Sequence, residues 1–152
     1  MAFDATAYAT AQVTNAGNYY LGDLKAISEE DLLNSPAGQA RAPIDFTYEV
    51  VLINRRIASR LRGETPPPMT FEGWMVAPDE FRSKQAAVRE MESSVKEIVD
   101  AIGTDVMRTI VTPERESTAF EMANFGALHI MYHDAQLNYL QSIKGDMAMH
   151  WD

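Results

Sequence analysis

Apolar residues recur along this chain with the period of a helix. Phe81, Val88, Met91, Val95, Ile98 and Ile102 follow one another at intervals of three, four or seven, and Gly103 supplies a stop, so the pattern predicts a helix over residues 78–102. Phe46, Val50, Ile53, Ile57 and Leu61 make a second stripe between Pro43, an allowed first-turn residue, and Gly63, predicting a helix over 44–62. Tyr8, Val13, Ala16, Tyr20, Leu24 and Ile27 mark a first helix over 5–27, although Gly17 and Gly22 weaken it. Ser28-Glu29-Glu30-Asp31 then matches a capping pattern that opens one short turn ending near Leu33. A long last helix spans 117–144.

Between these stretches lie three breaks, at 34–38, 63–68 and 103–113. The connections 65–77 and 104–115 are long for a bundle and read as crossovers, lids or carriers of a short helix, with Trp74 plugging one end of the core. No strand hairpin, internal repeat or low-complexity tract stands out. The expectation is one all-α domain over 1–152, a four-helix bundle with long connections.

Composition narrows the chemistry. With 46% hydrophobic residues in 152, one sizeable core can be built. The 13 basic against 22 acidic side chains give a net charge of -9, which argues against nucleic acid as a partner. There is no run of apolar residues long enough to span a membrane and no secretory leader pattern, so a soluble, cytoplasmic protein is expected. Cysteine is absent, which removes thiolate nucleophiles and sulfur-ligated metals and leaves imidazoles and carboxylates as the strong ligands.

His129 and His133 stand four residues apart on the last helix, a spacing from which two imidazoles can chelate one divalent cation. At 100° per residue, Met122, Phe125, Tyr132, Gln136, Leu140 and Ile143 come within about 60° of His129, which reads as an inward face with the pair at its centre. Buried there, the imidazoles need partners: a metal, or a polar network of carboxylates and backbone. Glu49, at the edge of the second helix's apolar stripe, is the candidate third ligand; its competing role is an ion pair with Arg56, Arg60 or a charge on another helix. Tyr132 and Gln136 flank the pair and are candidates for orienting a substrate, or ordinary packing. Glu121 lies about 80° off the His direction, and His150 reads as a surface residue. A di-iron carboxylate bundle needs Glu-x-x-His pairs, and the stretches from Glu49 and Glu121 lack the His.

The run Gly126-Ala127-Leu128-His129-Ile130-Met131-Tyr132-His133-Asp134-Ala135-Gln136-Leu137, closing with Ile143-Lys144-Gly145, resembles the last core helix of the DinB-like superfamily, with its H-x3-H-x2-Q pattern and following Gly. Leu24 to Leu33 and Arg41 to Gly63 are similar to that family's earlier passages. The resemblance implies a four-helix bundle with a metal held by three His, one from the second helix. This sequence departs from that pattern: residues 44–62 contain no His, and Glu49 stands at the matching place, with Asn54 five residues on. A two-His, one-carboxylate set is compatible with Zn, Ni, Mn or Fe(II). Thiol-dependent transferase or metal-dependent hydrolase chemistry is what the resemblance implies, with a small-molecule thiol as partner. The alternative is a non-catalytic bundle, dimeric and serving stress-related binding, whose His pair is a buried polar network. A homodimer is expected from the resemblance and from Ile130 and Met131, read as exposed on the far side of the last helix.

Overall fold

The structure, a computed structural model, describes residues 3–69 and 75–151. Helix α1 (Ala5–Ala26) is followed by the single turn α2 (Glu29–Leu33), α3 (Pro43–Leu61), α4 (Lys84–Ile102) and α5 (Ala119–Ile143), with a short hairpin, β1 (Thr109–Val111) and β2 (Glu116–Thr118), before α5. The four long helices run round the bundle in the order α1, α4, α3, α5. The fold is the expected all-α bundle. Trp74 lies outside the described residues.

Local chemistry sets the helix ends. Asp4 caps α1 by accepting from the backbone N–H of Ala7, and Ser28 caps α2 by accepting from that of Asp31. Thr118 and Glu121 form a reciprocal capping box at the start of α5, which gives Glu121 a structural role. At the far ends, Gly63 (φ 78) and Gly103 (φ 70) take the left-handed conformation that stops α3 and α4. Arg108 then accounts for the carbonyls left over there, donating to Leu61 O at 2.9 Å, Ala101 O at 3.0 Å and Ile102 O at 2.5 Å.

Two expectations are corrected here. The helix predicted from residue 78 begins at Lys84, because Ser83 takes the cap position and accepts from Ala86 N at 3.1 Å; Asp79–Phe81 form only a 3-10 turn before it. The connection 104–115 carries half of a hairpin in which Ile110 pairs with Ser117, and the last helix consequently starts at Ala119 and not at residue 117. Strands of three residues leave no readable alternation in a sequence.

The glycines that weaken α1 turn out to be points of close approach. A Cβ on Gly17 would lie 2.7 Å from Val95 of α4, so the small residue is what lets α1 and α4 pack this closely. A Cβ on Gly22 would lie 1.8 Å from the backbone oxygen of His150, in the segment that follows α5 and folds back over α1.

Helix α5 buries a different face from the one the sequence suggests. Its covered residues are Ala119, Met122, Ala123, Gly126, Ala127, Ile130, His133, Asp134, Leu137 and Gln141. The centre of that stripe lies about a quarter-turn from His129. Ile130 is fully buried and Met131 partly so, which removes them as an exposed dimer patch. Phe125, Leu128, Tyr132, Tyr139 and Ile143 are exposed instead. The reason is close packing: small Ala and Gly residues let the neighbouring helices approach, with Ile57 and Ile98 meeting α5 at Gly126.

Candidate metal centre

His129 and His133 sit at the margin of the buried stripe, where α5 meets α3. Their Nε2 atoms lie 3.8 Å and 3.7 Å from Oε1 of Glu49, which projects from α3. One ligand atom from each of Glu49, His129 and His133 falls within 4.8 Å of the others, a group able to hold a metal ion. The three residues singled out from the sequence are thus brought together.

Two of the three ligands are oriented by hydrogen bonds to other side chains. The Oε1 of Gln136 bonds Nδ1 of His133 at 2.8 Å; an amide oxygen can only accept, so the proton is on Nδ1 and the lone pair of Nε2 faces Glu49. The ring of Phe46 stacks on His133 with centroids 5.6 Å apart and planes inclined by 16°. Glu49 is held by Arg41, whose Nη1 donates to Oε2 at 2.5 Å while its Nη2 donates to the backbone oxygens of Asp45 and Met75. Arg41 thus takes one carboxylate oxygen and leaves the other toward the imidazoles. The Nδ1 of His129 is buried with no hydrogen-bond partner among the described residues.

Electrostatics favour metal-ready imidazoles. Burial, reinforced by the neighbouring His133, pushes His129 down to about 4 from 6.5, against the opposing pull of Glu49. Burial also lowers His133, again opposed by its hydrogen bond to Gln136 and by the negative charge of the nearby Glu49. Both rings are neutral near pH 7, the form that coordinates a cation.

The remaining sequence candidates divide. Gln136 supports His133 directly, and with Tyr132 it borders a cavity of about 530 Å³ that opens onto Glu49 and His133. Tyr132 also meets the His133 ring edge-on, with centroids 4.9 Å apart. Arg56 donates to Pro67 O and Arg60 pairs with Glu114, so neither is the partner of Glu49. Asn54 is buried and donates to Ser94, away from the site. His150 is half-buried, with Nε2 bonded to Asp146 Oδ2 at 2.9 Å. Arg41 and Phe46 complete the surroundings of the site. Phe46 was legible only as a core position, and Arg41, in the connection before α3, carries no periodic signal.

No family model matches the chain, and no curated protein does. Among solved structures, a conserved protein from Enterococcus faecalis superposes with a TM-score of 0.69 over 95% of this chain and 100% of its own, at 15% identity. The likeness is one of fold. It supports the bundle architecture and carries no activity to this site. Among the described residues, no helix is long and apolar enough to cross a membrane.

A second buried polar cluster lies behind the centre, between α1 and α5. Asp23 and Asp134 are both fully buried. Trp151 Nε1 donates to Asp23 Oδ2 at 3.0 Å, and Gln141 donates to the Asp23 backbone oxygen at 2.9 Å. Burial, with the Asp23 carboxyl beside it, raises Asp134 to about 7 from 3.8. Neither Asp134 oxygen has a donor among the described residues, an arrangement that favours the uncharged, protonated form of Asp134.

Proposed function

We propose that this chain is a DinB-like metal-binding protein in which Glu49, His129 and His133 hold one divalent cation. The observation that carries the reading is the convergence of the three ligand atoms within 4.8 Å of one another. The fixed tautomer of His133 and the low proton affinity of both rings support it. Two nitrogens and one carboxylate oxygen suit zinc or nickel first, with manganese or iron(II) also compatible.

Three protein ligands leave room for an exogenous one, the arrangement of a catalytic rather than a structural site. A cation there supplies Lewis acidity to a bound thiol, water or carbonyl. Thiol-dependent transfer or hydrolysis is the activity class that the likeness of the H-x3-H-x2-Q helix brings with it. In that chemistry Gln136 orients His133, Arg41 orients Glu49, and the cavity beside them receives the substrate.

The test is metal analysis of purified, dialysed protein. The expected result is about one ion per chain in the native protein and none in His129→Ala with an unchanged far-UV spectrum. The second reading, a non-catalytic bundle with a buried polar network, draws on the Arg41–Glu49 ion pair, which partners that carboxylate without a cation. A metal-free native protein that also refuses added zinc or nickel decides for it.

A further inference from the structure

The cavity beside the candidate centre has walls of a definite chemistry. Its volume of about 530 Å³ falls within the usual range for small-molecule sites. At about 30 Å³ per water it corresponds to a ligand with on the order of twenty non-hydrogen atoms at most. Phe46, Tyr132, Tyr139, Leu140, Ile143 and Ala40 line it, together with the largely buried side chains of Glu49 and His133, which mark its inner end. Tyr132, Tyr139 and Ile143 are among the exposed large apolar residues of α5, so this wall keeps its apolar surface in contact with solvent.

The charges at the inner end are the second observation. Among the described lining residues Glu49 and Arg41 are the ones charged at neutral pH, and they form an ion pair. The imidazoles add no charge, because an imidazole that coordinates a cation does so in its neutral form. A divalent cation held by one carboxylate and two neutral imidazoles keeps a positive charge that its own ligands do not cancel, which an anionic group offsets. The rest of the wall offers aromatic and aliphatic surface.

We propose that the cavity selects a small hydrophobic anion: an aryl or alkyl body against Phe46, Tyr132, Tyr139 and Ile143, with one acidic head group directed to the cation held by Glu49, His129 and His133. The assignment rests on the metal-binding reading above. It adds the substrate class, which follows from the wall and from the charge balance.

The experiment uses cobalt(II)-loaded protein titrated with propanoate and with 3-phenylpropanoate, two anions that share a head group and differ by one phenyl ring. Binding is read from the visible cobalt bands and by calorimetry. The expected result is that both perturb the cobalt bands alike, while 3-phenylpropanoate binds on the order of 10- to 100-fold more tightly, the ratio that burial of a phenyl-sized group supports. Ala40→Trp, which fills the cavity from an exposed wall position that ligates nothing, is expected to keep the cobalt spectrum and to lose the preference. A normal cobalt spectrum with equal affinities for the two anions overturns the cavity assignment and leaves the metal reading intact, as does a preference that survives Ala40→Trp. Failure to bind cobalt at all overturns the metal reading and the cavity assignment with it.

Discussion

His133 donates its Nδ1–H to Oε1 of Gln136 at 2.8 Å, one turn further along α5. That bond fixes which nitrogen of the ring is free, and so links a residue that never touches the ion to the ion's affinity. Gln136→Leu removes the acceptor without disturbing an exposed helix position. The expected outcome is a loss of zinc affinity of about 10- to 100-fold, measured by competition with a chromophoric chelator. Gln136→Glu, which keeps an acceptor at the same reach, restores most of it. Equal affinities for the Leu variant and the native protein would mean that His133 is positioned by Phe46 and Tyr132 alone.

The buried Asp23–Asp134 pair makes stability depend on pH. Asp134 is raised to about 7 from 3.8, so its stabilising contribution is fully present below pH 3.8 and is lost as pH rises through 7. Asp134→Asn is neutral at every pH and removes that dependence. The variant is expected to unfold at the same temperature as the native protein near pH 4 and to be more stable by on the order of 1 kcal/mol or more at pH 8. Melting curves of both proteins across that range, compared as a difference, check the sign. A difference that grows toward acid instead would show that the carboxyl is ionised in the native state.

Gly22→Ala sets two effects against each other. Alanine improves an exposed helix position by about 1 kcal/mol, but here its Cβ would stand 1.8 Å from the backbone oxygen of His150, which has no flexible end to move aside. The clash wins. Residues 146–151 are expected to leave α1, breaking the Trp151–Asp23 bond and the stacking of Trp151 on Tyr19. In a Trp74→Phe background, Trp151 emission should shift to the red and its quenching by acrylamide should rise. An unchanged spectrum would place the segment's attachment elsewhere.

The sequence carried the bundle well where one face is large and apolar. Helices α3 and α4 show this, because Ile57, Leu61, Met91 and Ile98 are both the periodic residues and the buried ones. It misled at α5, where several bulky apolar side chains point to solvent and Ala119, Ala123, Gly126 and Ala127 make up much of the buried face beside Met122, Ile130 and Leu137. A search for large hydrophobics cannot find a face selected for close approach. Even so, the pairing of His129 with His133 was readable, because four residues on a helix fix two side chains as neighbours whichever way the helix is turned. Glu49 could be proposed from its place on α3. Its partner could not, since Arg41 reaches it from an irregular connection and local spacing says nothing about that. The Asp23–Trp151 contact is likewise invisible before folding, as it joins α1 to a segment more than a hundred residues away.

One consequence follows from where the three ligands are carried. Glu49 belongs to α3 and both imidazoles to α5, so a cation between them ties together two stretches of chain that are remote in sequence. In a protein without cysteine, such an ion would be a removable cross-link: binding the folded chain alone, it would stabilise the fold in proportion to its supply, and its withdrawal would give that stability back. The amount of metal available would then govern how long each molecule survives as well as what it binds.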